Sequence, residues 1–169
     1  VKLIEAMKRV KFNKHKIEDN WKKIKDNCAH LSHETPPYGA EVRNRVAELI
    51  QSSEDLANEN VNLLTKIQQT NLATLVTINI GGVDITKSIA AWIWRRREYA
   101  GICQRTWAFL TDRGLKEGEI KVSVGDPMKV SIVRNFDPHN RDEKIALYNE
   151  EPHLIDVNLE IVNAVTDLV

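Results

Sequence analysis

A chain of 169 residues is long enough to bury a real core, either as one compact domain or as one extended helical assembly. Its 24 basic residues balance 24 acidic ones, which excludes a global charge that would draw it to nucleic acid or to an anionic membrane. A polyanion would have to be met by a local patch. No apolar run reaches the roughly 18 residues of a membrane span and no signal peptide opens the chain. The expectation is a soluble, cytoplasmic protein. Cys28 and Cys103 sit in apolar helical patterns without a CxxC or a Cys/His cluster, which points to buried reduced thiols and away from zinc or a disulfide framework.

Positions 3, 7, 10, 14, 17, 21, 24, 28 and 31 are Leu, Met, Val, Lys, Ile, Trp, Ile, Cys and Leu, the alternating four-three spacing of a coiled-coil seam. After a break at Ser32-His33-Glu34-Thr35-Pro36-Pro37-Tyr38-Gly39 the spacing resumes at 42, 46, 49, 53, 56, 60, 63, 67 and 70. Folding the two helices together sets 31 against 42 and 3 against 70. Lys14 then falls opposite Asn60 and bulky Trp21 opposite small Ser53, as core layers of an antiparallel hairpin require. Residues 1–31 carry nine bases and four acids, whereas 41–71 carry five acids and three bases, so charge favours the same pairing.

Thr77 to Thr86 reads as a small β-hairpin on the Gly81-Gly82 turn. Thr86 can cap the next helix, which is predicted to run to about Asp112 and to stop at Gly114. Its seam is Ile89, Ile93, Arg96, Ala100, Cys103, Trp107 and Leu110. Two further alternating runs, Ile120/Val122/Val124 and Met128/Val130/Ile132, are joined through Gly125-Asp126-Pro127. Asp137 then caps a helix with Pro138 at its first position. Its seam is Ile145, Tyr148, Ile155, Leu159, Val162 and Val169, with Pro152 kinking or restarting it. The predicted fold is mainly α: long antiparallel helical hairpins in a coiled-coil-like bundle with one or two small β-hairpin insertions. Residues 1–71 form the first hairpin and 72–169 a second helical pair with β-hairpins at about 75–86 and 119–134, together one structural unit.

Asn71-Leu72-Ala73-Thr74 and Asn163-Ala164-Val165-Thr166 each close a helix with the same Asn-x-x-Thr spacing. Either the two tetrapeptides recur by chance or as C-terminal caps, or both amides face one polar site. The element order, with Gln69-Thr70-Asn71-Leu72-Ala73-Thr74, Ile85-Thr86-Lys87-Ser88-Ile89-Ala90, an arginine-bearing helix and the closing Ile155-Asp156…Glu160-Ile161-Val162-Asn163-Ala164-Val165-Thr166-Asp167-Leu168, resembles the septicolysin-like family of small helical proteins of bacteria and phages. Ala164 stands where that family usually has a tryptophan. The resemblance implies the helical fold and self-association, and brings no mechanism with it.

No Walker motif, GxGxxG, GxSxG or HExxH occurs, and neither cysteine has a sequence-adjacent base. His30 and His33 lie three apart without a third metal ligand. The chain is therefore expected to be no enzyme, with no metal and no cofactor. Binding has more support. From Lys87 to Arg113 there are six bases and two acids, concentrated in Trp92-Ile93-Trp94-Arg95-Arg96-Arg97-Glu98-Tyr99. On a helix Trp92, Arg95, Arg96 and Tyr99 share one side, where guanidinium forks suit phosphates and aromatic faces suit a base. The ligand-binding set is Trp92, Arg95, Arg96, Tyr99, Asn71, Thr74 and Asn163. The competing reading makes Trp92, Ile93 and Trp107 core, Arg95 and Arg97 a solvated face, and Arg96 the partner of a carboxylate on the last helix. The function expected is a non-catalytic helical homo-oligomer that sequesters a small anionic, nucleotide-type ligand, as a phage-encoded protein would, without sequence-specific nucleic acid binding. The alternative is a structural or assembly protein, such as a virion component or an interaction scaffold. The outer positions Ile4, Ile50, Ala57 and Leu64 are left for self-association in either case.

Overall fold

The computed structural model describes every residue, Val1–Val169. The elements run α1 (Leu3–Asn27), a 3-10 turn (Gly39–Glu41), α2 (Val42–Ala73), β1 (Leu75–Ile80), β2 (Val83–Ser88) and α3 (Ile89–Trp94). A π-helical turn (Arg95–Tyr99), α4 (Ala100–Ala108), β3 (Gly118–Ile120), β4 (Met128–Val130) and α5 (Pro138–Val165) complete the chain. The fold is mainly α, built on helical hairpins with two small antiparallel β-hairpins. No helix is long and apolar enough to cross a membrane. The sequence places a boundary near residue 71. The chain divides into two compact units, the first comprising Val1–Leu75, Ser88–Ala90 and Leu159–Val169, the second Val76–Lys87 and Ala91–Asn158.

The first unit is the long hairpin of α1 and α2. Glu5 reaches back to accept the Lys2 amide at 2.7 Å, which starts α1. The antiparallel register of 3 with 70 is kept by Asn13 against Asn60 and Asn20 against Ser53, but α1 ends at Asn27, leaving Leu31 in the connecting loop, 62% exposed, and the residues that fill the layers on α1 differ from the expected ones. Leu3, Ala6, Val10, Asn13 and Asn20 are buried, while Met7, Lys14, Trp21 and Cys28 lie exposed one position further round the helix. Asn13, not Lys14, meets Asn60, its Nδ2 donating to Asn60 Oδ1 at 3.0 Å. Asn20, not Trp21, meets Ser53, donating at 3.2 Å. On the other flank Arg9 forks onto Glu59, its Nε donating at 2.8 Å and its Nη2 at 3.3 Å. An amide pair inside an apolar seam costs stability and in return penalises any shifted register, because a shift would bury each amide against hydrocarbon. Cys28, expected buried, is exposed where α1 ends.

Both Asn-x-x-Thr tetrapeptides close helices here, α2 and α5, with Thr74 N–H donating to Thr70 O and Thr166 N–H to Val162 O, each at 2.9 Å. The Thr74 carbonyl accepts the Ile89 amide at 3.0 Å, and the Thr166 carbonyl accepts the Leu3 amide at 2.9 Å. Each threonine thus passes the end of one helix to the first amide of another, and Leu3 and Ile89 are both fully buried there. The C-terminal strand-like segment is tied to the same place: Leu168 N–H donates to Val1 O at 2.9 Å, Val169 N–H to Thr70 Oγ1 at 3.1 Å, and Lys2 bridges Asp167 at 2.8 Å.

The second unit begins with the β1–β2 hairpin. Gly81 and Gly82 both take positive φ, 59° and 84°, which the tight two-residue turn demands. A Cβ on Gly81 would also lie 3.1 Å from Leu147 Cδ1 on α5, so a side chain there would push on the leucine as well as strain the backbone. Val76, Ile78 and Ile80 form the inward face of β1. Thr86 belongs to β2, where its hydroxyl pairs with that of Thr77 at 2.7 Å, and the helix starts at Ile89 without it. The helix also ends at Ala108, short of Asp112, with Arg113 and Gly114 turning at positive φ. The strands β3 and β4 pair only over Gly118–Val130, Glu119–Lys129 and Ile120–Met128, leaving Val122 and Val124 in the connecting loop. Asp137 caps α5 as expected, accepting the His139 amide at 2.9 Å, and α5 continues through Pro152.

Candidate functional site

The aromatic and basic stretch of α3 is reshaped by the π-helical turn at Arg95–Tyr99. A π turn inserts an extra residue into a helix and widens the face it presents, and such turns recur at functional sites. Here it lets two consecutive arginines reach α5. Arg95 Nε donates to Glu151 Oε1 and Arg96 Nη1 donates to Asp156 Oδ1. The Arg95–Glu151 pair is the deeper, with the side chains 14% and 0% exposed; the Arg96–Asp156 pair lies at the surface. The sequence anticipates an Arg96 partner on the last helix. Of its two readings of Arg95, ligand contact or solvated face, the second is corrected: the side chain is 14% exposed and paired with Glu151.

The two tryptophans part company. Trp92 is fully buried, with its indole N–H donating to the Val76 carbonyl at 2.9 Å. It is core, which corrects its expected place among the ligand contacts, whereas Trp94 is 53% exposed. Trp94, Tyr99, Arg95, Ala91 and Lys87 line an open groove of about 390 Å³. The Arg95 guanidinium forms part of its wall, with Cζ 4.5 Å from the centroid of the Tyr99 ring and 5.7 Å from that of Trp92. Tyr99 is in turn packed edge-on against Tyr148 of α5, with ring centroids 6.3 Å apart. The remaining expected contacts, Asn71, Thr74 and Asn163, belong to the first unit. Asn163 Oδ1 is buried without a hydrogen-bond donor.

Sequence reasoning missed Glu151, Asp156, Lys87 and Trp94. Glu151 is the most informative of these, because its Oε2 is buried without any partner while Oε1 holds Arg95. An acid immediately before an internal helix proline was the available signal: Pro152 has no N–H to offer the Tyr148 carbonyl, so the local helix is already irregular where the carboxylate turns inward.

The groove has a rigid backing. Burial, with Tyr99 and Cys103 close by, pushes the Tyr148 hydroxyl from its ordinary 10.0 up to about 12. The neutral phenol is favoured in the folded protein, so its contribution is complete below pH 10 and is lost as pH rises towards about 12, where the unfolded chain releases this proton first. The stability difference between the wild type and Tyr148→Phe is therefore expected to shrink across that window in urea titrations. A difference that stays constant would show that Tyr148 titrates normally.

No family model and no curated protein matches the chain. Among solved structures, the fold is similar to the crystal structure of a conserved protein of unknown function from Corynebacterium diphtheriae, at 18% identity and a TM-score of 0.59, with 100% of this chain and 99% of that one covered. At that identity the likeness concerns the fold.

Proposed function

We propose that this chain is a non-catalytic binding protein that holds a small anionic ligand of nucleotide type in the groove of its second unit. The observation that carries this reading is the combination of an exposed indole, a phenol and an ammonium around one cavity of about 390 Å³. An indole face and a phenol stack on a base, and a lysine attracts an anionic group.

The test is a thermal-shift and titration series with nucleoside mono-, di- and triphosphates and cyclic dinucleotides. At least one should stabilise the wild type, and Trp94→Ala should weaken it about tenfold or more, since stacking on an aromatic side chain contributes roughly 1–3 kcal/mol per base. Trp94 is exposed, so its removal should leave the unfolding midpoint in ligand-free buffer unchanged. A panel in which nothing binds the wild type would overturn the reading.

A second reading, an assembly or scaffold protein, is favoured by one separate feature. Met7 and Trp21 of α1 and Ile50, Ala57 and Leu64 of α2 are exposed on the same flank of the first unit's hairpin, opposite the Arg9–Glu59 flank. A continuous apolar flank on a two-helix layer is the surface through which hairpins associate into bundles. Self-association through it is compatible with the groove's function, and native mass spectrometry of the ligand-binding samples reads both at once.

A further inference from the structure

We infer that the groove selects an aromatic ligand carrying a single negative charge, with Lys87 as the residue that reads that charge and Arg95 serving as a neutralised wall. This rests on the binding reading above and specifies the ligand class. Two cationic side chains line the groove, Lys87 and Arg95. They are not equivalent. Arg95 is tied through Nε to Glu151, and its guanidinium packs on Tyr99 and Trp92. A paired guanidinium and carboxylate present a dipole to the groove, and a dipole's field falls away faster than that of a net charge.

Glu151 makes the pairing hard to exchange. It is fully buried, and Oε2 already lacks a donor. A ligand phosphate that drew Arg95 away would leave the whole carboxylate buried and unpaired, which is the costly way to break such a pair. Lys87, on β2, brings its ammonium to the lining with no carboxylate partner of this kind. The lining therefore offers one uncompensated positive charge beside two aromatic faces. Its match is a planar ring system bearing one negative charge: a cyclic phosphodiester, or a carboxylate or sulfonate on an aromatic frame. A second ligand charge meets no second free cation.

Adenosine, cyclic AMP and AMP vary the charge from neutral through singly to doubly negative on one base, and their affinities for the full chain can be compared by calorimetry at constant ionic strength. Cyclic AMP should bind about tenfold or more tightly than adenosine, the size expected of one charge-assisted contact, and AMP should gain no more than about twofold over cyclic AMP. Lys87→Gln should reduce cyclic AMP to the affinity of adenosine while the circular dichroism spectrum and unfolding midpoint stay as in the wild type. AMP binding about tenfold tighter than cyclic AMP would mean that Arg95 is recruited and would overturn the inference while leaving the binding reading intact. A wild-type protein that binds adenosine and cyclic AMP equally would do the same. Failure of all three probes together with the wider nucleotide panel would overturn both.

Discussion

Glu151→Ala is expected to destabilise the second unit by about 3–5 kcal/mol, because removing one member of a buried pair leaves the other charged and without its counter-ion. Glu151 is fully buried and Arg95 is 14% exposed, with its guanidinium against the Tyr99 and Trp92 rings. The double variant Arg95→Met/Glu151→Leu should recover most of the loss, since it removes both desolvation costs and fills the same space with hydrocarbon. The surface pair supplies the control. Arg96 and Asp156 are 33% and 56% exposed, so Asp156→Ala should cost no more than about 1 kcal/mol. Urea titrations of the four proteins give all three comparisons. Glu151→Ala and Asp156→Ala of equal, small effect would show that water reaches the Arg95–Glu151 pair and that burial does not distinguish the two.

The same contrast explains what the sequence disclosed and what it withheld. The antiparallel hairpin and its pairing of 3 with 70 were legible because apolar positions recur with heptad spacing on both helices, and the register is seen in Asn13 against Asn60 and Asn20 against Ser53. The identity of alternate layers on α1 was not legible by the same rule. Following hydrophobicity selects Met7, Trp21 and Cys28, whereas the helix buries Ala6, Asn13 and Asn20 and leaves the more apolar flank outside. The correct signal was present as Asn13, Asn20 and Asn27 at intervals of seven, facing the polar Asn60 and Ser53. A scan for apolar periodicity discards that pattern by construction.

In the second unit the limits are of another kind. Arg96, Ala100, Cys103 and Trp107 were placed on the inward side of the arginine-bearing helix from the sequence, and all four are buried or half-buried. The π turn at Arg95–Tyr99 has no mark in the apolar periodicity of the sequence. Arg95 and Arg96 both pair with carboxylates of α5, Glu151 and Asp156, and Trp94 is left on the groove. The polar echo at Asn71 and Asn163 was open between capping and a shared site. The threonine carbonyls of both tetrapeptides receive a helix-starting amide, a backbone contact that the side-chain pattern does not spell out.

Trp92→Ala is the second large effect expected, and the partition between its causes can be measured. The indole is fully buried beneath β1, so truncating it leaves a cavity in the middle of the second unit, at a cost of roughly 3–5 kcal/mol. It also strips the Val76 carbonyl of the indole N–H that lies 2.9 Å away, and it removes one of the two rings on which Arg95 rests. Trp92→Phe separates these contributions: it retains most of the ring volume and the aromatic face but cannot donate to Val76. Its loss should be near the 1–3 kcal/mol typical of a buried acceptor left unsatisfied. If the alanine variant were additionally weakened in combination with Glu151→Ala by less than the sum of the two single losses, the indole and the ion pair would be coupled through Arg95, as the stacking geometry requires. Strict additivity would mean that Arg95 keeps its position without the indole, and that Glu151 and Tyr99 alone hold it in the groove wall.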